Sequence, residues 1–206
     1  MNTQPVTPRP YRLGKRAAAA QRTTDAIVDA ALAFIPARSW EDLTIGEIAD
    51  RAGVTERTVL RHFSTKDDVA RACSARAIEQ VRAQRRGAPG TSLDDAVTEL
   101  VAHYEERGDT ALWLLDHARR VPVLAEAAAD GSAMHEDWVR GVFGEPVRAL
   151  GLDAPERRQR MAALSAATDV HTWHILRRRS GLTRRDTEAA LRTMCAALLR
   201  PEGADR

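Results

Sequence analysis

The sequence predicts an all-α fold, and three observations say so. Apolar residues recur at three- and four-residue steps through most of the 206 residues, the spacing of one buried helical face. No run alternates with period two over the length of a strand with β-branched enrichment. Glycine and proline are modest, 12 and 9, while alanine-rich segments dominate. At this size folding buries about 70% of the extended-chain surface, so no disulfide or metal staple is required.

Taken in order, residues 1–18 read as a disordered basic arm carrying Arg9, Arg12, Lys15 and Arg16. A first helix is expected over 22–37, burying Ile27, Ala30, Ala31 and Phe34, with Trp40 and Leu43 closing that small core from the connection. Two short helices follow within 44–66. Another is expected over 65–85, where Thr65 can cap it with Asp68 three residues on, and it is long enough to link two domains. GAPG at 87–90 is the clearest linker. Beyond it Ser92, with Asp94 and Asp95 in the first turn, opens a helix over 92–107. Further helices are expected over 110–120, 122–129, 133–150, 155–179 and 184–200, with Asp109, Ser132 and Thr183 as caps. Pro122 stands where a first-turn proline is tolerated, and Pro146 is expected to kink or split its helix. The domains are then a basic arm (1–18), a three-helix helix-turn-helix domain (19–66), a linking helix (67–86) and a helical domain (87–206), about nine helices in all.

Residues 44–66, TIGEIADRAGVTERTVLRHFSTK, carry the most chemistry. Thr44 can cap a helix whose Ile45, Ile48, Ala49 and Ala52 share one face. Gly53 can close it in the left-handed conformation that only glycine adopts cheaply. Val54 fills the corner and Thr55 caps a second helix. There Val59, Leu60 and Phe63 supply apolar contacts, while Glu56, Arg57, Thr58, Arg61 and His62 are left outward. A tight helix-turn-helix whose second helix is basic and hydroxyl-bearing fits the DNA major groove.

Charge agrees with this reading. The net charge is only +2, but basic residues outnumber acidic ones in 1–86 and acidic outnumber basic in 87–206. A basic head on an acidic body is the pattern of a nucleic-acid reader whose body need not touch nucleic acid. Cys73 and Cys195 stand in separate helices with no metal spacing and read as small core residues in a reducing cytoplasm. The arm is followed only by Ala17–Ala20, so it is no signal peptide. No apolar stretch reaches the roughly 18 residues needed to span a membrane.

The block Thr44, Ile48, Ala49, Ala52, Gly53, Val54, Thr55, Thr58, Val59, His62, Phe63 and Lys66 resembles the N-terminal domain of TetR-family transcriptional regulators. The resemblance covers about residues 22–75. It implies a homodimer that places one recognition helix per subunit in the major groove of a palindromic operator on double-stranded DNA. By motif position, Glu56, Arg57, Thr58 and Arg61 would face base edges or nearby backbone, and Thr44, Thr55, His62 and Lys66 would hold phosphates. Arginine suits bidentate donation to guanine O6 and N7, and Lys66 stands at a helix N-terminus. Two departures mark this chain. Many members carry a phosphate-contacting tyrosine at the position of Leu60, and a small residue is common at that of Arg57. The basic arm is further expected either to follow the adjacent minor groove or to remain a solvated tail.

The resemblance also implies a helical domain that binds a small-molecule effector. Tyr104, Trp113, Trp138, Phe143 and Trp173 could line its pocket with Leu112, Leu115 and Met134, or serve as plain core. His103, Asp116, His117, Asp169 and His171 are its first polar candidates. His171 and His174 could share a helix face with Asp169 nearby, but no further ligand has metal spacing, so neither metal nor cofactor is expected. For the dimer, Ala162, Ala163, Ala166 and Ala167, continued by Val170 and His174, form a close-packing surface on one of the last two helices. Leu191, Met194, Cys195 and Leu198 form an apolar stripe on the other. An enzyme is disfavoured, because no phosphate-binding glycine loop, nucleophile elbow or triad spacing is present. A non-specific architectural protein would need a more basic body.

Overall fold

The computed structural model describes residues 10–84 and 91–201, which form nine α-helices and, among the described residues, no strand. Two compact units divide between Cys73 and Ser74, inside helix α4 (Lys66–Gln84). The linker at 87–90 and the first nine residues of the arm lie outside the described residues.

In the N-terminal unit, α1 spans Pro10–Leu32. The arm is therefore helical from Pro10 onward, a correction to the disordered reading of 10–18. Proline is accepted at a helix's first position, and Ala17–Ala20 has the best helix propensity available. The helix stops at Leu32 and not at 37, because Pro36 disfavours helical backbone at Ile35 and supplies no N–H. Helix α2 covers Ile45–Ala52 and α3 covers Glu56–His62. Ile27, Val28, Ala31, Trp40, Leu43, Ile48, Val59 and Val69 are at most 2% exposed and form the core. Phe34 lies past the end of α1, half-buried, with the Arg51 guanidinium 5.3 Å from its ring centre.

The C-terminal unit is built from longer helices than expected. Helix α5 runs unbroken from Leu93 to His117, where two helices and an Asp109 cap were anticipated. Gly108 is no breaker here. A Cβ on it would sit 2.4 Å from the ring of Trp173, so the glycine lets that indole lie directly on α5. Asp109 instead pairs with Arg178 at 3.0 Å. Helix α6 likewise runs from Pro122 to Ala149 through Gly131 and Ser132, whose hydroxyl donates to Ala128 O within the helix. Pro146 does not split it: only one turn follows, and the proline is on the exposed side.

The helix expected over 155–179 is divided into α7 (Ala154–Ala167), α8 (Val170–His174) and a π-helical turn, Ile175–Arg179. Thr168 Oγ1 donates back to Leu164 O at 2.7 Å, and Asp169 caps α8 by accepting from His171 N–H at 2.8 Å. Short polar side chains thus bond the backbone where helix continuation would need it. The last helix, α9, covers Arg184–Leu198 behind its Thr183 cap. Within this unit α5 packs on α6, α8 and α9, and α7 packs on α6 and α9.

Candidate nucleic-acid interface

The helix-turn-helix is held at each junction by side chains of its own sequence. Thr44 Oγ1 accepts from Glu47 N–H, while Glu47 Oε2 accepts from both the backbone N–H and the hydroxyl of Thr44 at 2.9 Å, a complete capping box. Arg38 pairs with the same carboxylate. These bonds, led by the Thr44 N–H and then Arg38, hold Glu47 well below its ordinary value of 4.5, at about 2. Gly53 takes φ +68° and donates to Ala49 O and Asp50 O, and Val54 N–H also reaches Ala49 O. Thr55 caps α3 by accepting from Thr58 N–H, and the two hydroxyls lie 3.0 Å apart. Thr65 and Asp68 cap α4 in the same reciprocal way, and Asp68 is lowered chiefly by the hydroxyl of Thr65.

Two of the side chains expected to hold phosphates are engaged within the protein. The single hydroxyl proton of Thr44 goes to Glu47, so none remains for a phosphate. Lys66 points inward: Nζ donates to the carbonyls of Trp40 at 2.8 Å, Glu41 at 3.2 Å and Leu43 at 2.8 Å, and lies 5.4 Å from the Trp40 ring centre. Three donors meet three acceptors, so the ammonium is a clamp on the 40–43 turn. The first turn of α4 carries Asp67 and Asp68 and does not invite an anion.

The outward set is consequently narrower than the motif implied. Arg57 and Arg61 are exposed and make no side-chain hydrogen bond or ion pair among the described residues, and Leu60 is 48% exposed. Arg57 is one turn from both Leu60 and Arg61, which flank it on either side of the helix face. Glu56 is exposed, but its carboxylate folds back over α2, with Oε1 2.7 Å from where a Cβ on Gly46 would sit. His62 is half-buried, its Nδ1 hydrogen-bonded with the Thr24 hydroxyl at 3.0 Å, which leaves Nε2 as its outward atom. Because one of the two threonine hydroxyls donates to the other, the Thr55–Thr58 pair keeps one hydroxyl proton to give.

In the C-terminal unit, four of the proposed pocket aromatics are core. Tyr104, Trp138, Phe143 and Trp173 are at most 7% exposed in one cluster, against which Leu112 and Leu115 pack. Tyr104 Oη donates to Thr168 O at 3.0 Å, and Trp173 Nε1 to Glu105 Oε1 at 3.1 Å. Glu105 also receives Arg177 Nε at 2.8 Å, and Arg177 reaches Leu182 O. Sequence reading missed this junction, since its partners are about 70 residues apart. Trp113 stacks on buried His117 with ring centres 4.2 Å apart, and Trp113 O is hydrogen-bonded with His117 Nδ1 at 2.8 Å. Asp116 is exposed beside Arg120. Met134 and His103 are half-buried. Asp169 and His171 pair with each other at 2.7 Å on the exposed side of α8. No group of three or more His, Cys, Asp or Glu suited to a metal ion occurs among the described residues. Both cysteines are buried thiols outside any disulfide, and burial pushes the Cys195 thiol up to about 11.

Residues 27–73 match the family described as bacterial regulatory proteins, tetR family. The segment is a TetR-family helix-turn-helix domain. An HTH-type transcriptional regulator of Mycobacterium tuberculosis, Rv0681, is 31% identical over 86 residues, 41% of this chain and 39% of that protein. TtgW of Pseudomonas putida, another HTH-type regulator, is 43% identical over 61 residues, 30% of this chain and 46% of its own. The chain thus matches less than half the length of either relative. The solved structure of a TetR-family regulator from Rhodococcus sp. superposes with a TM-score of 0.65 at 20% identity, covering 87% of this chain and 100% of that one, a likeness of fold.

Outside the TetR-type domain, the two stripes assigned to a dimer surface are each divided. Leu191, Cys195, Ala167 and Val170 are buried in the subunit's own core, which corrects their assignment to a partner surface. Ala162, Ala166 and Met194 remain exposed, and Ala163, His174 and Leu198 are half-buried. No helix among the described residues is long and apolar enough to cross a membrane.

Proposed function

We propose that this chain is a sequence-specific transcriptional regulator, a repressor that leaves a palindromic operator when a small molecule binds its C-terminal unit. The observation that carries the reading is the outer face of α3. Two guanidiniums, Arg57 and Arg61, stand exposed on a short helix capped by Thr55 and held by the Gly53 turn. A fixed helix presenting arginine forks is suited to guanine edges in a major groove. His62 Nε2 and the remaining proton of the Thr55–Thr58 pair supply backbone contacts at its margins.

A palindrome requires two copies of α3 about 34–36 Å apart. We assign the dimer contact to the faces of α7 and α9 that carry Ala162, Ala166 and Met194. Small residues there permit close helix approach. An effector shifts the protein off DNA only by as much as it prefers the state with the wrong head spacing. Helix α4, which belongs to both units, is the covalent route for that shift.

The test is protection of a DNA duplex enriched from random sequence by the full-length protein, in excess unrelated DNA, together with light scattering at micromolar concentration. The reading expects protection of an inverted repeat by a dimer. A monomer in solution, or protection abolished by unrelated DNA, overturns it.

A further inference from the structure

Among the described residues the large apolar side chains left exposed are three, and one of them, Leu60 at 48%, lies on the face assigned to DNA. Leu60 leaves about half of its surface uncovered, while Val59 beside it and Phe63 just past the helix are buried in the domain's core. Its neighbours define what it would meet. Arg57 stands three residues before it and Arg61 directly after it, both exposed. A surface that both guanidiniums approach is anionic there and comes close to Leu60, which lies one turn from Arg57 on the same side of the helix.

In a major groove the one apolar group on a base edge is the C5-methyl of thymine. We propose that Leu60 reads a thymine methyl next to the base pair addressed by Arg57, on the side away from Arg61, and so is a specificity-determining residue. This inference rests on the DNA-binding reading above. A leucine has no hydrogen bond to give a phosphate, so its contribution is contact with that methyl and exclusion of water from it. Cytosine presents an amino donor and no methyl at the equivalent edge, so Leu60 discriminates A·T from G·C at that pair.

The experiment uses the full chain and a duplex that it enriches from random DNA. Each thymine in the enriched half-site is replaced in turn by deoxyuridine, which removes the methyl and keeps the pairing. One replacement per half-site is expected to weaken binding about four-fold, the size for one buried methyl group. The same replacement is expected to change binding by less than two-fold in Leu60→Ala. Leu60→Ala keeps the helix, because the position is exposed and alanine is the best helix former. Leu60→Asn is expected to shift the preferred base at that pair when the selection is repeated. Replacements that are all neutral, an equal loss in wild type and Leu60→Ala, or an enriched half-site without an A·T pair overturns this inference alone. Failure to enrich any sequence overturns the DNA-binding reading and this inference with it.

Discussion

In the N-terminal unit most polar side chains near the helix-turn-helix act over three residues, whereas in the C-terminal unit the decisive ones act over sixty or more. Thr44–Glu47, Thr55–Thr58 and Thr65–Asp68 each close a helix end within one turn. Tyr104–Thr168, Trp173–Glu105 and Arg177–Glu105 instead tie α5 to the segment that includes α8 and the π-helical turn. The first kind fixes the angle of one short helix on another. The second ties the long helix α5 to a short segment far from it in sequence. The N-terminal unit is thus built to present a surface, and the C-terminal unit to hold a junction between distant segments.

The largest way to break that contrast is at the junction. Trp173→Ala removes a fully buried indole and is expected to cost about 3–5 kcal/mol in urea denaturation. Gly108→Ala, which drives a methyl into the same ring, is expected to cost about 1–3 kcal/mol. In the Trp173→Ala background the Gly108 substitution is expected to turn neutral or stabilising, because the clash is gone and helix propensity favours alanine. Additive costs would contradict the packing described.

Next in size is the clamp. Lys66→Met is expected to destabilise the protein by about 2–3 kcal/mol, since three carbonyls lose a charged donor. The salt dependence of DNA binding should stay unchanged where the variant is folded. A salt slope flatter by about 1 at unaltered stability would restore Lys66 as a phosphate contact.

These sites also show what the sequence made legible. The caps, the Gly53 turn and the outward arginines could be read because their interactions are local, and the Asp153–Glu156 capping box, not picked out there, carried the same D-x-x-E signal. The clamp made by Lys66 is not legible because its partners are carbonyls 23–26 residues away, which no side-chain pattern announces. The unbroken course of α5 through Gly108 is hidden for a related reason. A glycine that breaks a helix and one that admits a distant tryptophan look alike until Trp173 is in place. The pocket aromatics became core on the same account.

Arg57→Ala is expected to weaken binding to the enriched duplex by about 1–3 kcal/mol and relax the choice of one base pair, with stability unaltered. Equal weakening on all sequences would make it a phosphate contact instead. The smallest effect is acid. Glu47 is depressed from 4.5 to about 2, so its cap contributes fully above about pH 4.5 and is lost as pH falls through about 2. In Glu47→Gln that acid-dependent loss is expected to disappear from the denaturation profile between pH 5 and 2. An identical profile would move the pH dependence to other carboxylates.

The claim that the outer face of α3 reads DNA is tested most directly by selecting duplexes from random DNA with the wild-type protein and with Arg61→Ala. The wild type is expected to enrich an inverted repeat, and Arg61→Ala the same repeat made degenerate at one symmetric pair of positions. Identical enrichment by the two proteins, or no enrichment by the wild type, would contradict it.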